Sequence, residues 1–438
     1  MPRLPTKFRG QAQGALLLVA GMGLLGILVA GCFSVTWGAG GYGADAVPAT
    51  SPIQHVVILM QENRTFDNLF HGFPGADSAE TGMSNGTPVP LTEVPLAENV
   101  DLPHHHVAWW RAWDRGKMDG FARTGAVDPA YPYSYVRQSD IAAYWTLAKR
   151  YTLSDRMFQS NTGPSFPAHQ YMIAGQSANA AESPTALPWG CDAPAGTTVP
   201  LLGPNGTVLP GPFPCFDYRT VGDVLDQAGI SWRYYSPSAA GERSSFTGFE
   251  AIRHIFYGQD WESKVISPQT TVLTDITAGH LAHVTWVVPD MRHSDHPGNN
   301  SSEGPQWVAS VVNAIGASKF WSSTAIFITW DDWGGWYDHV APNQVDKMGP
   351  GFRVPLIVVS PYAKHGYVSH QNVETASLLT YIEKNFRLPS LNARDATAGD
   401  LSDCFDYRQE VRPFTTIPTR LTVQRLLLER PTGMPDDD

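Results

Sequence analysis

Five short runs of apolar and β-branched residues recur along the chain, separated by longer stretches with helical spacing. The runs occupy residues 55–60, 230–235, 283–288, 325–329 and 355–359. Continuous apolar runs of this length are typical of strands that are buried on both faces of a parallel sheet. Amphipathic spacing predicts helices over residues 140–151, 220–227, 306–315 and 374–385. The alternation of the two patterns predicts the α/β class, with a mostly parallel central sheet packed between helices.

Polar side chains follow four of these runs at the point where each run ends. They are Glu62 and Asn63, then Asp290, Asp295 and His296, then Asp331 and Asp332, and finally His365. Ligands bind at the carboxyl ends of strands in open α/β sheets, so we expect these side chains to meet at one edge. The adjacent Asp331 and Asp332 repel each other and need a cation, a shared proton or helix N-terminal amides nearby. Taken alone, such a pair is more often a turn cap beside a solvated carboxylate. The four clusters together favour a functional site at this edge of the sheet.

Length and composition narrow the class without identifying a function. The 438 residues fit one large α/β domain as well as two or three smaller ones, and 42% hydrophobic content is enough for a sizeable core. Charged residues make up only 16% of the chain, and its net charge is -11. A negative protein is a poor non-specific partner for nucleic acid or for an anionic lipid surface. We therefore expect no nucleic acid partner.

The N-terminus predicts export. Arg3, Lys7 and Arg9 precede an uncharged apolar run over residues 15–30, which indicates a signal peptide spanning residues 1–31. The run ends in the sequence LVAGC, which resembles a bacterial lipobox and predicts lipidation of Cys32. The alternative is cleavage further on, near residues 44–46, giving a soluble periplasmic or secreted form. A retained transmembrane helix is disfavoured because the run is short and interrupted by glycine.

The remaining chain divides into three parts by composition. Residues 32–51 are small and glycine-rich and predict a flexible linker. Residues 52–412 carry the predicted elements and form the predicted main domain, and residues 413–438 form a C-terminal tail. Cys191 and Cys215 share one segment rich in proline and glycine, and an exported protein can pair them. The sequence alone leaves this pairing open, with Cys404 as the remaining cysteine.

Ser165 is the candidate nucleophile. It precedes Pro167 in a segment that predicts a helix with Ser165 as its N-cap. A serine at a helix N-terminus faces backbone N–H groups and the positive end of the helix dipole, which favour an alkoxide and bind anions. An ordinary helix cap is an equally good interpretation of the local sequence.

Two histidines are candidates for proton transfer, His104 and His296, because imidazole titrates near neutrality. The run HHH at residues 104–106 is also compatible with a solvated or separate metal-binding tract, and His296 with a residue that only shapes a turn. Arg64 and Lys117 are candidate contacts for phosphate oxygens, although a solvated side chain explains each equally well. His105 and Asp295 complete the candidate substrate-binding residues.

Six motifs together resemble the phosphoesterase family, which includes bacterial phospholipases C, plant non-specific phospholipases C and a class of bacterial acid phosphatases. They are QENRTFDNLF (61–70), DLPH…GKMDGF (101–121), SDRMFQSNTGPSFPAHQ (154–170), SDHPG (294–298), TWDDWGGWYDHV (329–340) and GFRVPLIVVSPYA (351–363). They occur in family order across residues 51–410. Each motif is weak alone, and the set is specific. The resemblance implies an alkaline-phosphatase-like three-layer α/β/α sandwich.

The resemblance also implies a site. Glu62, Asn63, Ser165, Asp331 and Asp332 would surround a divalent metal ion such as Ca²⁺, Mg²⁺, Mn²⁺ or Zn²⁺. Ser165 would form a phospho-enzyme intermediate, with His104 and His296 as the active-site histidines. Two positions depart from the family pattern, since Trp333 stands where many relatives have histidine and Asp332 is often glutamate. The chain is also shorter than the phospholipases with added C-terminal domains, which puts specialisation for membrane lipids in doubt.

These inferences predict an exported, metal-dependent phosphoric-ester hydrolase. Its substrate would be a phospholipid or a small phosphomonoester, with membrane contact only through an N-terminal lipid anchor. Five tryptophans would line an apolar cleft for lipid or belong to the core: Trp109, Trp110, Trp113, Trp333 and Trp336. The alternative function is an inactive metal- or ligand-binding lipoprotein of the cell envelope. A nucleophile beside paired carboxylates favours the enzyme.

Overall fold

Eight strands form a central sheet in the computed structural model, which describes residues 48–239, 242–243, 247–430 and 432. In chain order they are β1 (His55–Gln61), β2 (Thr152–Ser154), β3 (Trp232–Tyr235), β4 (Val265–Ile266), β5 (Val284–Val287), β6 (Thr324–Trp330), β7 (Leu356–Val359) and β8 (Tyr367–Ser369). Their order across the sheet is β4-β3-β5-β1-β6-β7-β2-β8. The two long strands β1 and β6 are neighbours at the centre of the molecule and are almost completely buried.

The five predicted strands are all present, and three short ones were not predicted. Strands β2, β4 and β8 contain only two or three residues each. A run of two or three residues shows no detectable periodicity, because alternation can be recognised only over about four residues or more. The sheet therefore extends beyond the part that the sequence pattern could predict.

Twelve α-helices accompany these strands among the described residues. They are α1 (Phe66–Phe70), α2 (His106–Trp113), α3 (Ala142–Arg150), α4 (Ser165–Ala174), α5 (Val221–Gln227), α6 (Arg253–Phe256), α7 (Gln259–Lys264), α8 (Thr271–Ala278), α9 (Gly304–Gly316), α10 (Ala376–Phe386), α11 (Ala393–Thr397) and α12 (Val423–Leu428). The four helices predicted by amphipathic spacing correspond to α3, α5, α9 and α10, with ends shifted by up to two residues. None of these helices is long and apolar enough to cross a membrane.

Helices cover both faces of the sheet. Successive side chains of a strand point to opposite faces, so Phe327 and Trp330 of β6 lie on different sides. Phe327 packs edge-on against Tyr381 of α10, with ring centroids 4.8 Å apart. Trp330 packs edge-on against Tyr144 of α3, with centroids 5.0 Å apart. These contacts confirm the predicted arrangement of a mostly parallel sheet between two helical layers.

One strand runs against the others. Strand β7 is antiparallel to both of its neighbours, β6 and β2, whereas the remaining pairs are parallel. The carboxyl end of β7 therefore lies at the opposite edge of the sheet from the other carboxyl ends. His365, which follows β7, was expected at the same edge as Asp331, and that expectation is wrong. The apolar run that identified β7 gives no information on its direction.

Smaller elements complete the fold. Five two-stranded sheets occur among the described residues, pairing Thr81–Ser84 with Thr87–Pro90, Thr92–Val94 with Ser134–Val136, Met157–Phe158 with Val373–Glu374, Leu201–Leu202 with Val208–Leu209, and Ser238–Ala239 with Glu242–Arg243. Cys191 and Cys215 form a disulfide bond, while Cys404 is a buried free cysteine. The predicted signal peptide and the lipidation site Cys32 lie outside the described residues.

The segment that begins at residue 413 packs on the body of the molecule as far as it is described. Ile417, Leu421 and Leu426 are each 0% exposed. Asn313 of α9 donates from Nδ2 to the Ile417 carbonyl and accepts from the Ile417 amide, both at 2.8 Å. These contacts fix the segment against α9.

Candidate active site

The centre of the site is built by two neighbouring strand ends. Gln61 and Trp330, the last residues of β1 and β6, are paired in the parallel register. The next residues, Glu62-Asn63 and Asp331-Asp332, therefore emerge side by side, and all four are 0% exposed. The backbone N–H of Asn63 donates to Asp331 Oδ1 at 3.0 Å. Two of the predicted polar clusters are thus in direct contact.

Both strand ends turn sharply to make this contact. Asn63 has a left-handed backbone with φ of 56°, and Gly334 has φ of 58°. A Cβ atom on Gly334 would lie 2.0 Å from the Asn63 carbonyl oxygen, so a side chain there would clash with the backbone. The Gly334 N–H donates to Asp332 Oδ1 at 2.7 Å and orients that carboxylate. Glycine is required at this position because the two turns approach each other so closely.

Ser165 reaches this cluster from α4. Its Oγ lies 3.3 Å from Asp332 Oδ2 and 3.3 Å from Asn63 Oδ1. The predicted N-cap position is wrong by one residue, because Pro164 occupies the cap and Ser165 is the first residue of the helix. The hydroxyl therefore stands at the positive end of the α4 dipole, where backbone N–H groups of the first turn can bind an anion.

His169 joins the cluster although the sequence analysis did not single it out. Its Nε2 lies 3.4 Å from Glu62 Oε1 and 3.8 Å from Asp331 Oδ2, and its Nδ1 lies 3.5 Å from Tyr234 Oη. Glu62, His169 and Asp331 each place a ligand atom within 4.8 Å of the others. The available signal was its spacing from Ser165, since residues four apart share one face of a helix.

His104 and His296 approach the cluster from the side of Asn63. Each ring places Nδ1 2.6 Å from a backbone carbonyl, that of Leu102 for His104 and that of Pro297 for His296. A carbonyl only accepts, so Nδ1 carries the hydrogen and Nε2 is the atom that gains or loses a proton. His104 Nε2 lies 3.2 Å from Asn63 Nδ2. The His296 Nε2 lies 3.0 Å from the same Asn63 Nδ2 atom.

The two histidines decide how the Asn63 amide is oriented. With neutral rings, both Nε2 atoms accept, so Asn63 presents Nδ2 to them and turns Oδ1 toward Asp331 and Ser165. That oxygen then lies 2.9 Å from Asp331 Oδ1, a contact between two acceptors that needs a cation between them. With both rings protonated, the amide turns over, accepts from the histidines and donates to Asp331. The orientation with neutral histidines suits a metal centre.

The residues present fit a divalent cation. Glu62, Asp331 and Asp332 supply three buried carboxylates, to which Asn63 adds an amide oxygen and Ser165 a hydroxyl. Oxygen donors of this kind suit Mg²⁺, Ca²⁺ or Mn²⁺, and the imidazole of His169 extends the choice to Zn²⁺. Clustered buried carboxylates are costly unless a positive charge offsets them. The five residues that the family resemblance implies as metal ligands therefore lie together in this cluster.

Asp295 and Arg64 stabilise the loop that carries His296. Asp295 Oδ2 accepts from Tyr144 Oη at 2.8 Å and from Trp330 Nε1 at 3.0 Å. Burial raises the pKa of Asp295 to about 6, although these two donors and Arg64 oppose the shift. Arg64 is completely buried, donates from Nε to the Asp295 carbonyl at 2.8 Å and lies over the Trp336 ring. In this structure both residues hold the loop.

Two other substrate-binding candidates lie on the surface. The Lys117 side chain is 66% exposed and pairs with Asp114 at 3.3 Å. His105 is exposed and caps α2 by accepting from the Ala108 amide. Of the tryptophans, Trp109, Trp333 and Trp336 are buried. Trp109 and Trp333 belong to a separate aromatic core with Phe121 and Phe352, so these two tryptophans are core residues and do not line an apolar cleft.

A large cavity borders this cluster at His296. It has a volume of about 800 Å³, and its lining includes His296 and Asp101. None of the five predicted metal ligands contributes to the described lining, and Ser165 is only 1% exposed. A ligand in contact with Ser165 Oγ therefore requires a shift of a covering side chain. His296 contacts both the cavity and the Asn63 side of the cluster.

The fold and the cluster define a class: an α/β protein with a buried, carboxylate-rich site and a serine at a helix N-terminus. The family can also be stated. The model of the Phosphoesterase family matches residues 53–389, and this chain belongs to that family. The assignment made from the six motifs is confirmed.

Named relatives and a solved structure are similar to this chain. The chain is 28% identical to the non-hemolytic phospholipase C of Burkholderia pseudomallei, covering 81% of this chain but only 59% of that protein. It is 26% identical to phospholipase C A of Mycobacterium tuberculosis, covering 84% of this chain and 80% of the relative. A solved structure from the alkaline phosphatase superfamily of Vibrio parahaemolyticus matches with a TM-score of 0.38 and 11% identity, over 82% and 75% of the two chains.

Proposed function

We propose that this chain is an exported, metal-dependent phosphoric-ester hydrolase with Ser165 as its nucleophile. The observation that carries the proposal is the position of Ser165 Oγ, 3.3 Å from Asp332 Oδ2 at the start of α4. A hydroxyl held between a carboxylate and helix N-terminal amides is activated and lies where an anionic ester binds. Membership of the Phosphoesterase family supports the same reaction class.

Glu62, Asn63, Asp331, Asp332 and Ser165 would hold the metal ion, with His169 as a sixth donor. When bound, the ion would supply positive charge that lowers the pKa of the serine hydroxyl and stabilises charge on the phosphoryl oxygens. The N–H groups at the start of α4 would bind the remaining phosphoryl oxygen. The Leu102 and Pro297 carbonyls would hold the two imidazoles through Nδ1, with Nε2 on the side of Asn63.

The reaction proceeds in two displacements at phosphorus. In the first, Asp332 takes the Ser165 proton, the Oγ–P bond forms and the bond from phosphorus to the alcohol oxygen breaks. A histidine that carries a proton on Nε2 when the ester binds gives that proton to the departing alkoxide, and His296 is the better placed because it borders the cavity. In the second, a water molecule gives a proton to that Nε2 and attacks phosphorus. The P–Oγ bond breaks and the Asp332 proton returns to Ser165.

Export is supported by the N-terminal pattern and by the disulfide. The basic start and apolar run of residues 1–31 have the composition of a signal peptide. The Cys191–Cys215 disulfide fits an oxidising compartment, where such bonds persist. Lipidation of Cys32 is part of this proposal. Mass spectrometry of the mature protein checks it, since an acylated Cys32 at the N-terminus supports the anchor and cleavage beyond it contradicts it.

The test compares the mature protein with its Ser165→Ala variant on p-nitrophenyl phosphate and p-nitrophenyl phosphorylcholine. We expect the variant to lose turnover by roughly a thousandfold or more, because the nucleophile acts as a unit with its neighbours. Ser390→Ala, at an exposed serine, is the matched control and should keep the wild-type rate. Wild-type turnover in Ser165→Ala would contradict the nucleophile.

Chelation tests the metal separately. A chelator should abolish turnover, and one divalent ion should restore it, because the buried carboxylates need a cation to bind an anionic ester. Retained turnover after exhaustive chelation would contradict metal dependence. The absence of turnover with any added metal would favour the inactive binding protein.

A further inference from the structure

The large cavity beside His296 has a polar wall with positive charge. Its described lining contains Asn99, Asn299, Asn300, Ser301, Ser302 and Thr432 as neutral polar residues. Three arginines also line it, Arg292, Arg420 and Arg425. Two carboxylates complete the charged set, Asp101 and Glu303. At about 800 Å³ the cavity is within the usual size range of small-molecule sites.

The charges in this wall do not cancel. Arg425 Nη2 pairs with Glu303 Oε1 at 3.1 Å, so one positive and one negative charge offset each other. Arg292 and Arg420 are exposed at the cavity, and within the described part of the chain neither has an ion-pair partner. Asp101 remains as the single opposing carboxylate, 3.9 Å from His104 Nδ1. Arg425 also pairs with Glu429, which lies outside the lining, so the positive charge available to a ligand is that of Arg292 and Arg420. Arginine forms paired hydrogen bonds to carboxylate and phosphate groups.

The positive wall is held in place by the rest of the fold. The Arg420 amide donates to Gln306 Oε1 of α9 at 3.0 Å, and Arg420 Nη2 donates to Ser302 Oγ at 3.3 Å. Arg425 Nε also pairs with Glu429 at 2.7 Å. A charged group presented by a supported backbone loses less freedom when it binds a ligand.

The same lining is unsuited to the choline group and to the acyl chains of a choline phospholipid. Among the described lining residues there is no Trp, Tyr or Phe, and Met291 and Pro297 are the main apolar side chains. A quaternary ammonium group is recognised by an aromatic cage, and arginines repel it. Acyl chains need a predominantly apolar wall. The buried tryptophans do not supply one, because Trp109 and Trp333 are core residues.

We propose that this cavity binds the organic part of the phosphate ester, and that this part is a polar, polyhydroxylated group carrying a second anionic charge. The inference rests on the proposed function, because His296 joins the cavity to the Ser165 cluster. Arg292 and Arg420 would bind the second anion, and the asparagine and serine side chains would bind hydroxyl groups. A soluble sugar-acid or polyol phosphate and the headgroup of an anionic inositol lipid share this chemistry.

The experiment compares two soluble esters that differ in one group, the terminal phosphates of gluconate and of sorbitol. The gluconate ester carries a carboxylate where the sorbitol ester has a hydroxymethyl group. We expect a kcat/KM about tenfold higher for the gluconate ester, since a charge-assisted hydrogen bond to arginine favours the carboxylate. In Arg292→Ala and Arg420→Ala this ratio should fall toward one, mainly through KM. Arg408→Ala, whose side chain is 93% exposed outside the cavity, should keep the wild-type ratio.

Equilibrium binding separates this inference from the proposed reaction. Calorimetric titration of Ser165→Ala protein with both esters should show the same preference for the gluconate ester without turnover. Equal binding of the two esters, or a preference unchanged in both arginine variants, would overturn the inference even if hydrolysis occurs. Preferential binding without hydrolysis by the wild type would support the cavity and contradict the proposed function.

Vesicles distinguish the two sources of the ligand. Binding to phosphatidylcholine vesicles that contain phosphatidylinositol monophosphate, lost in the arginine variants, would support the cavity with a lipid headgroup as its ligand. Preferential binding of the gluconate ester without binding to those vesicles would support it with a soluble ligand. Binding to pure phosphatidylcholine vesicles with equal or higher affinity would overturn the inference, because choline carries no second anion.

Discussion

His169 changes the chemistry that the candidate metal centre offers. The five residues implied by family resemblance contribute only oxygen atoms, a set that suits Ca²⁺ or Mg²⁺. His169 Nε2 lies 3.4 Å from Glu62 Oε1 and 3.8 Å from Asp331 Oδ2, close enough to share an ion with both. Imidazole nitrogen favours Zn²⁺ and other transition metals over Ca²⁺. We therefore expect His169 to decide which class of ion the site selects.

Replacing His169 by Asn should weaken Zn²⁺ binding to the metal-free protein by about 10- to 100-fold, while Ca²⁺ binding changes much less. Calorimetric titration of the metal-free protein with each ion measures both affinities without any assay of activity. His365→Asn, at an exposed histidine on the opposite edge of the sheet, is the matched control. Equal Zn²⁺ affinities for His169→Asn and the wild type would remove His169 from the metal centre.

At the scale of elements, the short helix α12 joins the C-terminal segment to the body. Leu426 is 0% exposed, whereas Leu428 on the same helix is 79% exposed. The helix also carries Arg425, which pairs with Glu303 in the loop before α9. Because the same segment forms one side of the cavity, its packing and the proposed binding site depend on each other.

Leu426→Ala should lower the free energy of unfolding by about 2–4 kcal/mol, because it removes buried methyl groups and leaves a cavity. Leu428→Ala removes the same atoms from an exposed position and should change stability by less than about 0.5 kcal/mol. Urea denaturation of both variants measures the difference. Equal effects of the two substitutions would mean that α12 does not pack as described.

At the scale of the whole molecule, a partly buried ionic network connects distant segments of the chain. His339 Nδ1 lies 2.6 Å from Asp67 Oδ2, and His339 Nε2 lies 3.0 Å from Asp77 Oδ1. Arg353 bonds to Asp67 at 3.2 Å and to Asp338 at 2.8 Å. Burial alone would lower the pKa of His339, but Asp67 and Asp338 outweigh it and raise the pKa to about 9. The network connects α1, the turn after β6 and the residues that lead into β7.

This network predicts a loss of stability at alkaline pH. The folded pKa of His339 is about 9 against an ordinary value of 6.5, so its contribution is complete below about pH 6.5 and is lost as the pH rises through about 9. The free energy of unfolding should fall across that range, by up to about 3 kcal/mol. Urea denaturation at a series of pH values measures the slope. His339→Gln should flatten it and His365→Gln should not, whereas an unchanged slope in His339→Gln would contradict this assignment.

Much of the site could be predicted because its residues follow strand ends that are visible in the sequence. Glu62, Asn63, Asp331 and Asp332 directly follow two apolar runs, and the parallel register of β1 and β6 brings them together. His169 was missed because one histidine in a helix has no distinctive local pattern. Lys117 and His105 belong to the right motif, but the α2 region turns both toward the surface.

The sequence by itself determined the α/β class, the main strands and helices, and the family, because apolar periodicity and short motifs are local properties of the chain. Only the tertiary structure decided the reversed direction of β7, the Cys191–Cys215 bond, the place of His169 beside Glu62, and the cavity walled by Arg292 and Arg420. Each of these depends on contacts between residues far apart in the chain. Such contacts are set by how the elements pack, which no local pattern encodes.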